Sequence, residues 1–287
     1  MSSPLSASSV RLRLDLAYDG TRFSGWAAQP GLRTVEGELT AAWGTILRAE
    51  PPRLTVGGRT DAGVHARGSV AHLDVPRDAW QAVPGRTARS PEQSALARLA
   101  GLLPGDIVVR RISVAPQDFD ARFSALRRRY SYRICDSWTG RDPLRRHDTV
   151  WHRHSLDVQA MDTAGCAMVG LHDFTAYCRR REGATTIRSL QQHSWTRDEE
   201  GILVATFVAD AFCRSMVRAL VGAVVPVGEG RYDVQWPVRV RDAGVRHPAV
   251  RVMPALGLTL QEISYPADGE VAARAQESRR RRDESDE

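Results

Sequence analysis

The sequence predicts an α+β protein made of two related, ferredoxin-like or RRM-like halves, which form a mixed, mainly antiparallel sheet flanked by helices. Three observations carry this. Apolar residues alternate with polar ones in several short runs, the mark of half-buried strands. Between those runs lie segments with helical spacing and recognisable end signals. The series of strands and helices then occurs a second time along the chain.

In the first series, Val10, Leu12, Leu14, Leu16 and Tyr18 recur at every second position with Arg11, Arg13 and Asp15 between them, which reads as a strand with one buried face. Val35, Leu39, Ala42, Trp43, Ile46 and Leu47 follow helical spacing, with Thr34 placed to cap the helix. Leu54 and Val56 make a short strand, and Ser69, Ala71, Leu73 and Val75 alternate again. Ser90-Pro91-Glu92-Gln93 is a capping box with proline at the first helical position, followed by Leu96, Leu99 and Leu103 until Pro104-Gly105 stops the helix. Ile107 to Val114 reads as a strand.

The second series opens with alternating Tyr130, Tyr132 and Ile134. Leu156, Met161, Ala164, Met168 and Leu171 predict a helix. Ile187–Trp195 and Ile202–Ala209 predict a hairpin around Asp198-Glu199-Glu200-Gly201. Met216, Leu220 and Val224 predict a helix ended by Gly228, and Leu258, Leu260 and Glu262 a last strand. The resulting divisions are a disordered N-terminus over 1–9, an N-terminal α+β half over 10–115, a C-terminal α+β half over 116–266, and a disordered charged tail over 267–287.

At 42% hydrophobic and 26% charged residues, the chain can bury a core and reads as soluble. Its apolar runs are too short to span a bilayer, and no secretory signal is visible. All 40 basic residues are arginine; lysine and asparagine are absent. This excludes Schiff-base, P-loop and kinase-type lysine chemistry. Residues 267–287 carry seven acids and five arginines, so a chain of net charge +6 leaves about +8 on the body, which favours an anionic partner. Cys135, Cys166, Cys178 and Cys213 form no C-x-x-C pair and fit neither a zinc site nor a disulfide framework, which points to a reducing cytoplasm.

Chemistry concentrates in Gly57-Gly58-Arg59-Thr60-Asp61-Ala62-Gly63-Val64-His65-Ala66. A short strand runs into glycines, then a charged cluster, then Gly63. The glycines allow a tight turn and close approach of a ligand. Asp61 is thereby presented at a loop tip with Arg59 two residues away. From the residues alone it serves equally as a nucleophile, a general base, a metal ligand or a turn aspartate bonded to its own backbone.

Gly58–Ala66 closely resembles the catalytic loop of the TruA family of tRNA pseudouridine synthases, GRTDAGVHA. Further segments resemble the family in the same order: Tyr18-Asp19-Gly20-Thr21 with Phe23, Gly25 and Trp26; Arg33-Thr34-Val35-Glu36-Gly37; Ala121-Arg122-Phe123-Ser124-Ala125; Arg129-Tyr130-Ser131-Tyr132; Gly170-Leu171-His172-Asp173-Phe174; Phe212 with Met216-Val217-Arg218 and Leu220-Val221-Gly222; and Gly257-Leu258 with Leu260. The chain departs from the family pattern at Ala27, Ser69 and Asp120.

The resemblance implies the pseudouridine synthase fold and an isomerase that converts uridine to pseudouridine at positions 38, 39 and/or 40 of the tRNA anticodon stem-loop, without cofactor or metal. It implies a cytoplasmic homodimer with tRNA as partner and no membrane association. Asp61 is then the essential carboxylate, Arg218 its cationic partner, Tyr130 the ring against the target base, Leu258 an apolar wall of the uracil pocket, and Arg59 a support for the flipped nucleotide. Arg127, Arg128 and Arg129, with Arg145-Arg146 and Arg179-Arg180-Arg181, are candidate RNA-backbone contacts. His65 and His172 lack a second ligand at useful spacing and read as structural. Two alternatives compete: a catalytically inactive RNA-binding or RNA-folding protein of the same fold, and a metal-dependent phosphodiesterase built on Asp61, Asp19, His65 and His72.

Overall fold

The computed structural model describes residues 9–138, 140–179 and 185–283, with side chains through 280. The described residues form two compact units, one of residues 9–126 with 263–280 and one of residues 127–262 with 281–283. The expected boundary at 115/116 is therefore corrected: residues 116–126 and the segment from Ile263 belong to the first unit. Long-range contacts decide this. The Phe119 carbonyl accepts from Arg11 Nη1 at 2.9 Å, Ala121 N donates to His72 Nδ1 at 3.0 Å, and Tyr265 Oη donates to the Ala121 carbonyl at 2.6 Å.

In the first unit, β1 (Ser9–Tyr18) is the central strand. Leu12, Leu14 and Leu16 are buried on its alternating face, each worth roughly 1.5–3 kcal/mol of apolar burial. The first helix, α1 (Val35–Leu47), starts where Thr34 accepts from Gly37 N, and it buries Val35, Leu39, Ala42, Trp43 and Ile46. The short β2 (Thr55–Val56) pairs with β3 (His65–Pro76), which runs antiparallel to β1 with Leu12 opposite Leu73. Helix α2 (Arg77–Ala82) was not expected; it is a short turn anchored by buried Trp80 against Trp43. The capping box of Ser90 and Gln93 is present at the start of α3 (Pro91–Leu102). Strand β4 (Ile107–Val114) completes the order β4-β1-β3, antiparallel to β1.

The second unit opens with β5 (Arg127–Cys135), along which β6 (Val150–Trp151) runs parallel. Helix α4 (Val158–Cys166) is shorter than its apolar spacing predicts: Leu171 lies in β7 (Gly170–Asp173), because Gly170 at φ 134° breaks the helical path. Strands β8 (Ile187–Arg197) and β9 (Leu203–Ala209) form the expected hairpin; Asp198 Oδ1 accepts from the amides of Glu200 and Ile202 at its turn. Helix α5 (Met216–Gly228) is buried along most of its length, followed by α6 (Trp236–Asp242) and β10 (Leu258–Ser264). The strand order is β10-β5-β9-β8-β7, giving a mixed, mainly antiparallel sheet.

The chain then returns to the first unit and forms α7 (Val271–Asp283), which belongs to that unit as far as Arg280. This corrects the expected disordered tail over 267–287, of which 284–287 lie outside the described residues; so do Met1–Ser8 of the expected disordered N-terminus, while Ser9 begins β1. Val271 and Ala275, one helical turn apart, are buried. The Val271 carbonyl accepts from Ser124 Oγ at 3.0 Å, and Arg279 forms an ion pair with buried Asp120 at 3.1 Å. Two small apolar residues carry too little hydrophobic signal to reveal the face from sequence.

Candidate active site

The Asp61 loop is held on both sides within the first unit. Before Asp61, the Thr60 side chain shares a 2.8 Å hydrogen bond with the Tyr18 hydroxyl at the end of β1, and the Thr60 carbonyl accepts from Trp26 N at 3.1 Å. After it, Val64 N donates to the Asp61 carbonyl at 3.2 Å, and Gly63 N to the Phe23 carbonyl at 3.2 Å. Gly63 has φ 78°, a conformation in which a side chain is strained. Thr60 is buried, Asp61 is partly exposed and Arg59 is exposed. The segment thus presents one carboxylate from a fixed backbone.

The supporting segment around Phe23 is pinned as well. Arg33 forks onto Asp106 through two 2.8 Å hydrogen bonds, bonds Glu38 at 2.8 Å and lies over the Phe23 ring at 4.2 Å. The Arg33 guanidinium holds the Asp106 carboxyl below the usual carboxylate range despite partial desolvation. Gly25 has φ 100°, and a Cβ there would sit 2.9 Å from the Thr60 carbonyl; only glycine lets the Trp26 segment approach the loop this closely.

Among the histidines, His65 Nδ1 accepts from Gly20 N at 3.0 Å and lies 3.0 Å from Asp19 Oδ1. His72 Nδ1 accepts from Ala121 N, and burial with the charge of Arg11 pushes its pKa down to about 4. His172 Nε2 is 3.3 Å from the Val169 carbonyl. Each ring is engaged by backbone. No group of three or more His, Cys, Asp or Glu suited to a metal occurs among the described residues, so Asp61, Asp19, His65 and His72 do not assemble the cluster that a metal-dependent phosphodiesterase needs.

The remaining candidates lie in the second unit. Tyr130 is buried on β5 and meets Phe212 edge to face, ring centroids 5.2 Å apart. Arg218, in the first turn of α5, donates from Nε to the Met253 carbonyl at 2.6 Å, and Met253 N donates back to the Arg218 carbonyl at 3.2 Å. This reciprocal pair fixes the direction of the guanidinium. Leu258 is buried at the start of β10.

Strand alternation separates the arginine triplet. Arg127 and Arg129 are exposed on one face of β5, with Arg129 paired to Glu262 at 3.0 Å. Arg128 points to the other face, donating to the Asp210 carbonyl at 2.5 Å. Arg145 faces Glu200 and Asp148 at 3.5 and 3.8 Å, and Arg146 donates to the Pro143 carbonyl. Arg179 is exposed; Arg180 and Arg181 lie outside the described residues.

Sequence reasoning missed three features. The Tyr18–Thr60 bond carries no spacing signal. Asp120, a departure from the family pattern, is a buried cap that accepts from the amides of Arg122 and Phe123 at 2.8 and 3.0 Å; a turn-forming aspartate before four residues of irregular chain is its only trace. Cys178 and Cys213 form a disulfide with Cα atoms 5.5 Å apart, which corrects the reading that the cysteines fit no disulfide framework; Cys135 and Cys166 are free.

A family model described as tRNA pseudouridine synthase matches residues 164–266. The chain is 53% identical over 281 residues to "tRNA pseudouridine synthase A" of Streptomyces griseus, covering 97% of this chain and 96% of that protein. It is 54% identical over 279 residues to the protein of that name from Leifsonia xyli (94% and 96% covered) and 55% identical over 271 residues to that of Frankia casuarinae (94% of each).

Proposed function

The chain belongs to the tRNA pseudouridine synthase A family, and from that premise we propose that it isomerises uridine to pseudouridine at positions 38, 39 and/or 40 of the tRNA anticodon stem-loop. The reaction breaks the bond between uracil N1 and the sugar C1′ and forms one between C5 and the same C1′. N1 gains a proton and C5 releases one, so no oxidant or transferred group is required. Asp61 is the essential carboxylate. It attacks the sugar, attacks the base, or removes a sugar proton; the residues fit all three.

The observation that supports this reading is the Asp61 loop: a single carboxylate, fixed by Tyr18, Trp26 and Phe23, beside exposed Arg59. A uridine in a stem reaches such a carboxylate only after leaving the stack, at a cost of a few kcal/mol. In this reading Arg59 supports the flipped state, Tyr130 lies against the base, Leu258 walls the uracil, Arg218 is the cationic partner of the carboxylate, and Arg127, Arg128 and Arg129 serve the RNA backbone. The protein works as a cytoplasmic homodimer with tRNA across both subunits. No helix among the described residues is long and apolar enough to cross a membrane.

The test uses tRNA transcribed with tritium at uridine C5. The purified protein, in chelator, releases tritium to water as each pseudouridine forms, and Asp61→Ala releases none. Binding of tRNA with no release by wild type would favour an inactive RNA-binding protein of the same fold.

A further inference from the structure

Cys178 and Cys213 are each followed by an arginine, and the disulfide between them brings the two Cys-Arg dipeptides side by side. The Arg179 amide donates to the Arg214 carbonyl at 3.1 Å, and both arginines are exposed. The two arginine side chains thus start from adjacent backbone, and a covalent link between residues 35 apart in sequence holds those segments together. The surroundings are built to receive it. The segment between β9 and α5 is anchored at its start by Asp210, whose Oδ1 accepts from Ser189 N and Ala211 N. It turns into α5 through Ser215 at φ 62°. Between these points lie Phe212, against Tyr130, and Cys213.

We propose that the Cys178–Cys213 pair is a thiol–disulfide switch that sets the affinity for RNA phosphate by clamping Arg179 and Arg214 into one binding site. A phosphate between two guanidinium groups accepts forked, charge-assisted hydrogen bonds from both. Oxidation closes the clamp and reduction lets the two arginines separate. In the closing direction, a thiolate of the pair attacks a low-molecular-weight disulfide and displaces one thiol. The second cysteine thiolate then attacks the mixed disulfide and displaces the other thiol. The protein loses two protons and two electrons, and the oxidant leaves as two thiols. Cys178 is buried and Cys213 only partly so, which makes the Cys213 sulfur the entry point. The choice of tRNA as the anion rests on the proposed function; formation of the bond does not.

The experiment takes the full-length protein after glutathione disulfide and after phosphine reduction. Thiols are counted on the denatured chain, and the affinity for an unmodified tRNA transcript is measured at fixed salt. The expected result is two thiols in the oxidised protein and four in the reduced, with tRNA affinity lower after reduction by about threefold or more, the order expected for losing one shared phosphate contact. Arg179→Ala lowers affinity in the oxidised protein and has a smaller effect after reduction. Cys213→Ser behaves as the reduced protein under either treatment; if that variant misfolds by circular dichroism, wild-type reduction alone decides. Four thiols after oxidation, or equal affinity in the two states, overturns the proposal. Redox-dependent binding without conversion of uridine leaves the clamp standing and removes the proposed function. Conversion with redox-independent affinity does the reverse.

Discussion

The Tyr18 hydroxyl and Thr60 Oγ1 meet at 2.8 Å, one residue ahead of Asp61 in the chain. The bond ties the end of β1 to the loop that presents the carboxylate, and both residues are buried. Tyr18→Phe leaves a buried hydroxyl unpaired, a loss of about 1–2 kcal/mol. Because the loop loses a tether, the turnover number is expected to fall by roughly tenfold while affinity for tRNA stays near wild type. Steady-state kinetics with a urea melt check both parts.

Gly25→Ala perturbs the same loop from the other side. Its φ of 100° and the 2.9 Å approach of a new Cβ to the Thr60 carbonyl both act against the substitution. The expected destabilisation is about 1–3 kcal/mol. Gly31, also at positive φ but with open space around it, carries the strain without the collision, so Gly31→Ala is expected to be the milder of the two. Thermal melts of the two variants rank them.

Helix α7 is a structural part of the first unit. Val271→Asp buries a carboxylate beside the Ser124 contact and is expected to cost about 3 kcal/mol. The same change at exposed Ala273 is expected to stay within about 0.5 kcal/mol. Urea unfolding separates them; equal effects would mean that α7 does not dock.

Those three sites divide what the sequence shows from what it hides. Helices α1 and α3 are legible because their signals are local: Thr34 and Ser90 cap, and the apolar residues repeat with helical spacing. The tightness of the Asp61 loop is legible for the same reason, in Gly63 and its neighbours. Helix α7 is not, since its buried face is one valine and one alanine. The unit boundary is hidden because Phe119 and Tyr265, whose rings meet at 5.1 Å, are far apart in the chain. The Cys178–Cys213 pairing is hidden by its 35-residue separation. The arginine triplet at 127–129 is legible as charge but not as geometry, because alternation on β5 sends Arg128 to the opposite face.

Acid sensitivity follows from two buried histidines. His72 is held near pKa 4 by burial and Arg11, and His193 near pKa 3 by burial. Both values lie below the unfolded value of about 6.5, so the unfolded chain takes up these protons first as pH falls. Stability is therefore full above about pH 6.5 and declines below it, by about 1.4 kcal/mol per pH unit for each histidine. The decline slackens only as pH passes the folded values. Melting temperature measured from pH 7.5 to 5 is expected to fall throughout the lower half of that range. In His193→Gln the fall is expected to be shallower.

The most direct test of the whole account is the position-resolved mapping of pseudouridine in an unmodified tRNA transcript after incubation with wild type and with Asp61→Asn. Asparagine keeps the size of the side chain and removes its charge, so the fold, checked by circular dichroism, is expected to be unchanged. The account predicts pseudouridine at one or more of positions 38 to 40 with wild type and none with the variant. Undiminished modification by Asp61→Asn, or no modification of any tRNA by wild type, would contradict it.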